Sequence, residues 1–185
     1  MITRGGIRSA RFLAASTSLR IVLTPVIMGL VIADTAPALG AVLFAVAAAT
    51  DWFDGYLARR WEVTTKFGSF LDTTADKLLV TGVLVALVAV DHVSPWIAVI
   101  IVGRELVILA LRGVIAAEGT VMQPSQLGKW KTSIQFLAIL LAILRLGDPV
   151  GGLYVDEWVM LAAAAITVAS AADYLTRFAR SVAAQ

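Results

Sequence analysis

The stretch DWFDGYLARRWEVTTKFGSFLDTTAD, residues 51–76, places four aspartates between two strongly apolar segments. Asp51 and Asp54 are three residues apart, and Asp72 and Asp76 are four apart. On helices, side chains at these spacings share a face, so each pair forms an acidic patch. Carboxylates within apolar segments are costly and usually mark a functional site. Two such helices facing each other would bring the four carboxylates together, and their mutual repulsion would require compensating cations.

Oxygen ligands of this kind favour Mg²⁺ or Mn²⁺, and the chain contains no cysteine that could bind a softer metal. The alternative is that the aspartates are solvated charges at helix ends. Glycines near both pairs favour a binding site, because glycine lets a ligand approach the backbone closely. Gly55 follows the first pair and Gly68 precedes the second by four residues. Arg59, one turn after Gly55, is placed to meet a phosphate.

The fixed residues of the stretch match a longer pattern, D-x2-D-G-x2-A-R-x8-G-x3-D-x3-D. The matching residues are Asp51, Asp54, Gly55, Ala58, Arg59, Gly68, Asp72 and Asp76. This pattern resembles that of the CDP-alcohol phosphotransferases, integral membrane enzymes of phospholipid synthesis. The resemblance implies that the four aspartates hold Mg²⁺ or Mn²⁺, as a pair of ions, and that Asp76 is the general base. It also implies that a CDP-linked lipid binds at Gly55, Ala58, Arg59, Gly68 and Thr73, the last at a position that is often proline.

Composition predicts a membrane protein with a single domain, residues 1–185, because 59% of the residues are hydrophobic. Six apolar segments approach the length of about 20 residues that a helix needs to span a bilayer. They run from about Thr17 to Ala33, Ala38 to Arg59, Phe67 to Val90, Pro95 to Ala117, Leu127 to Leu146 and Glu157 to Phe178. We therefore predict an all-α polytopic protein with six transmembrane helices. Residues 7–16 mix apolar and arginine side chains, and we expect a short interfacial helix there, with disorder as the alternative.

Lysine and arginine are distributed unevenly between the connections of these segments. Ten lie in the N-terminal segment, the second and fourth connections and the C-terminus, whereas the opposite connections contain only Arg145. The positive-inside rule therefore predicts a multi-pass protein of the cell (inner) membrane, with both termini and the active site in the cytoplasm. Charges within the spans gather toward the same side, which predicts a polar cavity that opens to the cytosol. The apolar opposite halves argue against the competing hypothesis, a divalent-cation carrier.

Four further cations are predicted to bind the acceptor alcohol, because a phosphorylated alcohol requires positive charge and a neutral one does not. They are Arg104, Arg112, Lys129 and Lys131. The alternative is that these side chains are snorkelling cations of the positive-inside bias.

The segments LDTTADKLL, GRELVILALR and LGKWKTSIQ resemble the phosphatidylglycerophosphate synthases of the family. That resemblance implies transfer of the phosphatidyl group from CDP-diacylglycerol to sn-glycerol 3-phosphate, with release of CMP. The alternative is a sister transferase whose acceptor is inositol phosphate or, as in cardiolipin synthase, phosphatidylglycerol. The resemblance also implies a homodimer in the lipid bilayer, and no nucleic-acid partner is expected. An Asn-Leu-Pro-Asn-like lead before the first span is absent, with residues 15–18 there instead, so no N-terminal cytidine contact is predicted.

Overall fold

The computed structural model is all-helical over the residues that it describes, 4–61, 66–117 and 126–183, with side chains described for 16–50, 53, 70–116, 128 and 130–180. This part of the chain contains six helices, and its only β-structure is an isolated bridge between Val150 and Leu153. The helices are α1 (Arg4–Ala33), α2 (Pro37–Trp61), α3 (Lys66–Ala89), α4 (Pro95–Ala117), α5 (Gln126–Leu144) and α6 (Val155–Ala183). The predicted all-α fold with six helices is therefore confirmed.

The N-terminal prediction requires a correction. The helix α1 runs without a break from Arg4 to Ala33, so residues 7–16 are the first part of α1 and not a separate short helix. The physical reason is visible in the sequence, because residues 7–16 contain neither a proline nor a glycine that would end a helix before the first span. The interfacial location of these residues stays a prediction.

The helix ends follow from local chemistry. Asp34, Asp91 and Arg145 come directly or shortly after α1, α3 and α5, and their φ angles of 46°, 57° and 41° lie in the left-handed region that commonly ends a helix. The helices α2 and α4 begin at Pro37 and Pro95, whose fixed φ suits the first helical position. Proline therefore fixes two of the helix starts at or within one residue of the predicted start.

Residues Met1–Val90 form one compact unit, in which α1 packs against both α2 and α3. Its core consists of buried apolar side chains from all three helices: Ile27, Val31, Phe44, Ala47, Leu79, Val83, Leu84 and Leu87. Gly82 of α3 lies close to side chains of α1. A Cβ atom at this position would come within 2.8 Å of Cγ2 of Thr24 and 3.0 Å of Sδ of Met28. The missing side chain thus sets the spacing of α1 and α3.

Residues Asp91–Gln185 form the second compact unit, in which α6 packs against α4 and α5. One face of α6 is buried at helical spacing, and its residues are Met160, Ala163, Ala164, Thr167, Ser170 and Tyr174. The first half of this face is apolar, and the second half presents three polar groups to the neighbouring helices. The polar groups of unit 2 therefore lie toward the C-terminal end of α6. The prediction of a single domain stays a prediction.

The connection between α5 and α6 is held by Arg145. Its guanidinium lies 3.6 Å from a carboxylate oxygen of Asp156, 3.5 Å from one of Glu157, and 4.1 Å from the ring centroid of Tyr154. Oε2 of Glu157 also accepts a hydrogen bond from the backbone N–H of Tyr154 at 2.8 Å, which caps the start of α6. Arg145 thus has a structural role at the end opposite the predicted cytosolic side.

Two helices of the described segments are long and apolar enough to cross a membrane, through Ser16–Ala33 and Val155–Arg180. The helices α3 and α4 are not among them, and their described side chains include three charged groups each: Asp72, Asp76 and Lys77, and Arg104, Glu105 and Arg112. Those six residues include most of the described candidate site. Six transmembrane crossings and a cytosolic cavity stay predictions.

Candidate functional site

Asp72 of α3 lies beside a fully buried arginine of α1. Nη2 of Arg20 donates to Oδ1 of Asp72 at 2.6 Å, and the hydroxyl of Thr17 donates to the same oxygen at 3.4 Å. The Arg20 side chain is 0% exposed, whereas 40% of the Asp72 side chain is exposed. Both contacts go to Oδ1, and no described side chain donates a hydrogen bond to Oδ2 of this half-exposed carboxylate.

Asp76 lies one helical turn after Asp72, and the two carboxylates share a face of α3. Nζ of Lys77 donates to Oδ2 of Asp76 at 2.8 Å, and both side chains are partly exposed. Thr73, predicted to border the CDP-linked lipid, is partly buried between the two aspartates along the helix. Each aspartate is thus held through one oxygen by a cation, which orients the carboxylate.

The remaining residues predicted to bind metal or donor lie outside the described side chains. These are Asp51, Asp54, Gly55, Ala58 and Arg59 of α2 and Gly68 of α3. Among the described side chains, no group of three or more histidines, cysteines, aspartates or glutamates is placed to hold a metal ion. Asp72 and Asp76 fit half of the predicted Mg²⁺ or Mn²⁺ site, because they offer hard oxygen ligands one helical turn apart. The metal site as a whole stays a prediction.

A second charged cluster lies within unit 2, where α4, α5 and α6 meet. Oε1 of Glu105 accepts hydrogen bonds from Nζ of Lys131 and, at 3.2 Å, from Nη1 of Arg104. Nη2 of Arg104 donates to the hydroxyl of Ser170 at 2.8 Å. The three charged side chains are nearly buried, at 12% exposure for Arg104, 7% for Glu105 and 4% for Lys131. Two of the predicted acceptor-binding cations therefore share one carboxylate.

Arg112 lies two helical turns after Arg104 on α4 and is exposed. Its guanidinium carbon lies 5.7 Å from the ring centroid of Tyr174 on α6, within the range of a cation–π contact. Tyr174 is buried against Ile108 and Ile115 of α4. The buried aromatic ring thus contacts an exposed cation. Lys129, the fourth predicted cation, lies in α5 outside the described side chains.

Sequence reasoning missed the partners of the predicted residues. Arg20, Glu105, Ser170 and Tyr174 received no role, although each contacts a predicted site residue. The available signal was charge, since Arg20 and Glu105 stand within otherwise apolar segments where an ionised side chain requires a partner. The sequence does not show which partner each side chain contacts.

Residues 14–173 match the family model described as CDP-alcohol phosphatidyltransferase. The chain belongs to the CDP-alcohol phosphatidyltransferase family. This confirms the resemblance carried by the aspartate pattern, and it makes the protein a transferase. The matched range includes all four aspartates, the Glu105 cluster and all but the last turns of α6.

Three relatives show which branch of the family the chain resembles. It is 43% identical over 145 residues to a protein of Sodalis glossinidius, and the aligned region covers 76% of this chain and 78% of that protein. It is 42% identical over 130 residues to a protein of Haemophilus influenzae, across 66% of this chain and 70% of that protein. It is 44% identical over 106 residues to a protein of Bacillus subtilis, across 57% of this chain and 55% of that protein. All three are named CDP-diacylglycerol–glycerol-3-phosphate 3-phosphatidyltransferase. The match with the Bacillus protein spans about half of that protein's length.

Proposed function

We propose that this phosphatidyltransferase moves the phosphatidyl group of CDP-diacylglycerol to sn-glycerol 3-phosphate and releases phosphatidylglycerol phosphate and CMP. The observation that carries the proposal is the 43% identity over 145 residues to a relative whose name specifies both substrates. The chain would thereby serve phospholipid biosynthesis. A sister transferase that uses inositol phosphate or phosphatidylglycerol is the alternative.

The donor side of the proposal rests on unit 1. Asp51, Asp54, Asp72 and Asp76 would hold Mg²⁺ or Mn²⁺, which when bound supplies the positive charge that a pyrophosphate requires. The described half of this set supports the assignment, because Arg20 and Lys77 each bond one carboxylate oxygen and so orient Asp72 and Asp76 as oxygen ligands. The nucleotide of the donor would lie along the pattern residues Gly55, Ala58, Arg59, Gly68 and Thr73.

The acceptor side rests on unit 2. Glycerol 3-phosphate carries a phosphate, and Arg104, Arg112 and Lys129 are the cations that we propose to bind it. Arg104 supports this role through its unused donors, because a guanidinium has five N–H groups and its Nε is buried without a hydrogen-bond partner among the described residues. Arg112 supports it through its exposure above the Tyr174 ring.

The chemistry follows from the groups on the two substrates. The acceptor hydroxyl attacks the phosphorus on the lipid side of the pyrophosphate, and the new P–O bond forms as the bond to the CMP oxygen breaks. CMP leaves with the electron pair, and Asp76 accepts the proton of the attacking hydroxyl. The Lys77 contact to Oδ2 of Asp76 would orient the carboxylate so that Oδ1 faces the hydroxyl.

The setting proposed for this reaction is the cell membrane, with six spans and with both termini and the active site in the cytoplasm. The two apolar helices support contact with lipid, and so do the exposed apolar side chains of Val22, Val99 and Val107. A second copy of the chain as partner remains part of the proposal.

An acceptor panel tests the function. Purified protein in liposomes that contain CDP-diacylglycerol and Mg²⁺ would be given glycerol 3-phosphate, glycerol, inositol 1-phosphate or phosphatidylglycerol, and the lipid products would be separated by mass spectrometry. We expect phosphatidylglycerol phosphate and CMP in equal amounts from glycerol 3-phosphate, and no lipid product from the other three acceptors. Product formed only with inositol phosphate or only with phosphatidylglycerol would replace the proposed acceptor with that alcohol.

A further inference from the structure

Glu105 lies between two cations that sequence analysis treats as equivalent. The same oxygen, Oε1, contacts both Nζ of Lys131 and Nη1 of Arg104. All three side chains belong to unit 2, and they come from α4 and α5. A carboxylate this deeply buried cannot be solvated by water, so its charge has to be balanced within the protein.

Two cations share one carboxylate in this cluster, and all three side chains are nearly buried. Such a cluster is weak evidence of stabilisation, because apolar residues of similar size often stabilise a core as well or better. Orientation of Arg104 for the acceptor phosphate gives the cluster a reason to exist beyond packing.

The two cations differ in what their contacts leave for a ligand. Arg104 is held from two sides, by Glu105 through Nη1 and by Ser170 through Nη2, so its plane is fixed while further N–H groups stay available. Lys131 has a compact ammonium group that already bonds Glu105, and its side chain is only 4% exposed. The rigid guanidinium, on the less buried of the two side chains, suits phosphate binding, and the more buried ammonium suits charge balance.

We propose that Glu105 is a positioning residue that fixes the guanidinium of Arg104 for the acceptor phosphate, and that Lys131 is the counter-ion of Glu105. The inference rests on the proposed function, since it concerns how that acceptor is held. It separates Lys131 from the cations that contact the acceptor. Ser170 is the second positioning residue, because its hydroxyl accepts from the opposite end of the same guanidinium.

The test compares Glu105→Gln, Lys131→Met and the double variant Glu105→Gln/Lys131→Met in liposomes, with separate KM values for glycerol 3-phosphate and CDP-diacylglycerol. The double variant removes both charges of the pair, so it tests whether Lys131 acts only through Glu105. Glu157→Gln is the matched control, because it makes the same change in another ion-paired glutamate of unit 2.

We expect Glu105→Gln to raise the KM for the acceptor by about ten-fold or more, as the loss of a charge-assisted hydrogen bond does, with the KM for CDP-diacylglycerol within about two-fold. In the double variant, we expect the acceptor KM to stay within about three-fold of the Glu105→Gln value, since Lys131 has no further part in acceptor binding once its anion is neutral. The acceptor KM of Glu105→Asp, which keeps the charge, should lie between those of Glu105→Gln and wild type. A purely structural pair would lower thermal stability without separating the two KM values.

A double variant whose acceptor KM lies at least ten-fold above that of Glu105→Gln would overturn the proposal, because Lys131 would then contact the acceptor directly. Unchanged acceptor KM in a folded Glu105→Gln variant would also overturn it. If the single variants do not fold, the double variant is compared with wild type, and an unchanged acceptor KM there would overturn the positioning role of Glu105. Failure of the proposed function is seen separately, as a wild-type protein that makes no product from glycerol 3-phosphate; the same variants would then be compared on whichever phosphorylated acceptor the wild type uses.

Discussion

The Arg20–Asp72 pair of unit 1 and the Glu105 cluster of unit 2 differ in the side chain that is least buried. In unit 1 the buried partner is a cation, Arg20 at 0% exposure, and the carboxylate of Asp72 is turned outward at 40%. In unit 2 the carboxylate of Glu105 is buried, and Arg104 is the more exposed partner. The first arrangement presents oxygen ligands, which suit a metal ion, and the second presents N–H donors, which suit a phosphate. We therefore propose a cation site at the first pair and an anion site at the second cluster.

Replacement of Asp76 by asparagine should have the largest effect on the unit 1 side. The amide keeps the shape of the side chain but cannot accept the proton of the attacking hydroxyl, so we expect kcat to fall by about 10²- to 10⁴-fold. Asp148→Asn is the control, since Asp148 lies exposed in the connection between α5 and α6. Turnover of both variants would be measured as CMP release from CDP-diacylglycerol liposomes. Full activity in Asp76→Asn would remove the general-base role.

Removal of the buried cation should sharpen the contrast between the units. With Arg20→Met, Asp72 loses the contact that orients it, and we expect metal affinity to weaken by about 10- to 100-fold, the usual effect of losing a group that supports a ligand. Binding of Mn²⁺ to the purified protein, followed by electron paramagnetic resonance, measures this directly. Arg20→Lys should retain part of the affinity, and exposed Arg180→Gln should retain all of it. Unchanged Mn²⁺ binding in Arg20→Met would show that Arg20 serves only the fold.

The spacing of α1 and α3 can be changed without touching a charge. In Gly82→Ala the new methyl group would meet Cγ2 of Thr24 at 2.8 Å, and we expect a loss of about 1–3 kcal/mol in the free energy of unfolding. Gly29→Ala on α1 is the matched control, because no atom lies within 4 Å of a Cβ there and alanine favours a helix by up to about 1 kcal/mol. Unfolding in mixed micelles compares the two. Equal stabilities would contradict the close approach at Gly82.

The smallest expected effect concerns the aromatic support in unit 2. Tyr174→Leu removes the ring below Arg112, and a cation–π contact of an exposed arginine contributes about 0.5–1 kcal/mol. We therefore expect the acceptor KM to rise by about two- to five-fold, the same free energy expressed as a ratio. Tyr174→Phe keeps the ring and should stay close to wild type. If phenylalanine and leucine gave the same KM, the ring would have no part in holding Arg112.

The sequence predicted elements well and contacts poorly. Apolar length and the prolines at positions 37 and 95 predicted six helices and several of their ends, because these signals are local. The partner of Asp72 lies 52 residues away on α1, and the partner of Lys131 lies 26 residues away on α4. Such pairs depend on how helices pack, which a single sequence does not encode in any local pattern. Lys131 accordingly looked equivalent to Arg104 until the shared carboxylate was visible.

The division of labour between the units is tested most directly by the two KM values of Arg104→Gln, with Arg104→Lys as the charge-preserving comparison. If unit 2 holds the acceptor phosphate, the KM for glycerol 3-phosphate rises by about ten-fold or more and the KM for CDP-diacylglycerol stays within about two-fold. The acceptor KM of Arg104→Lys should lie between those of Arg104→Gln and wild type, because lysine keeps the charge and loses the fixed plane. A rise confined to the KM for CDP-diacylglycerol would contradict the account, since Arg104 would then belong to the donor.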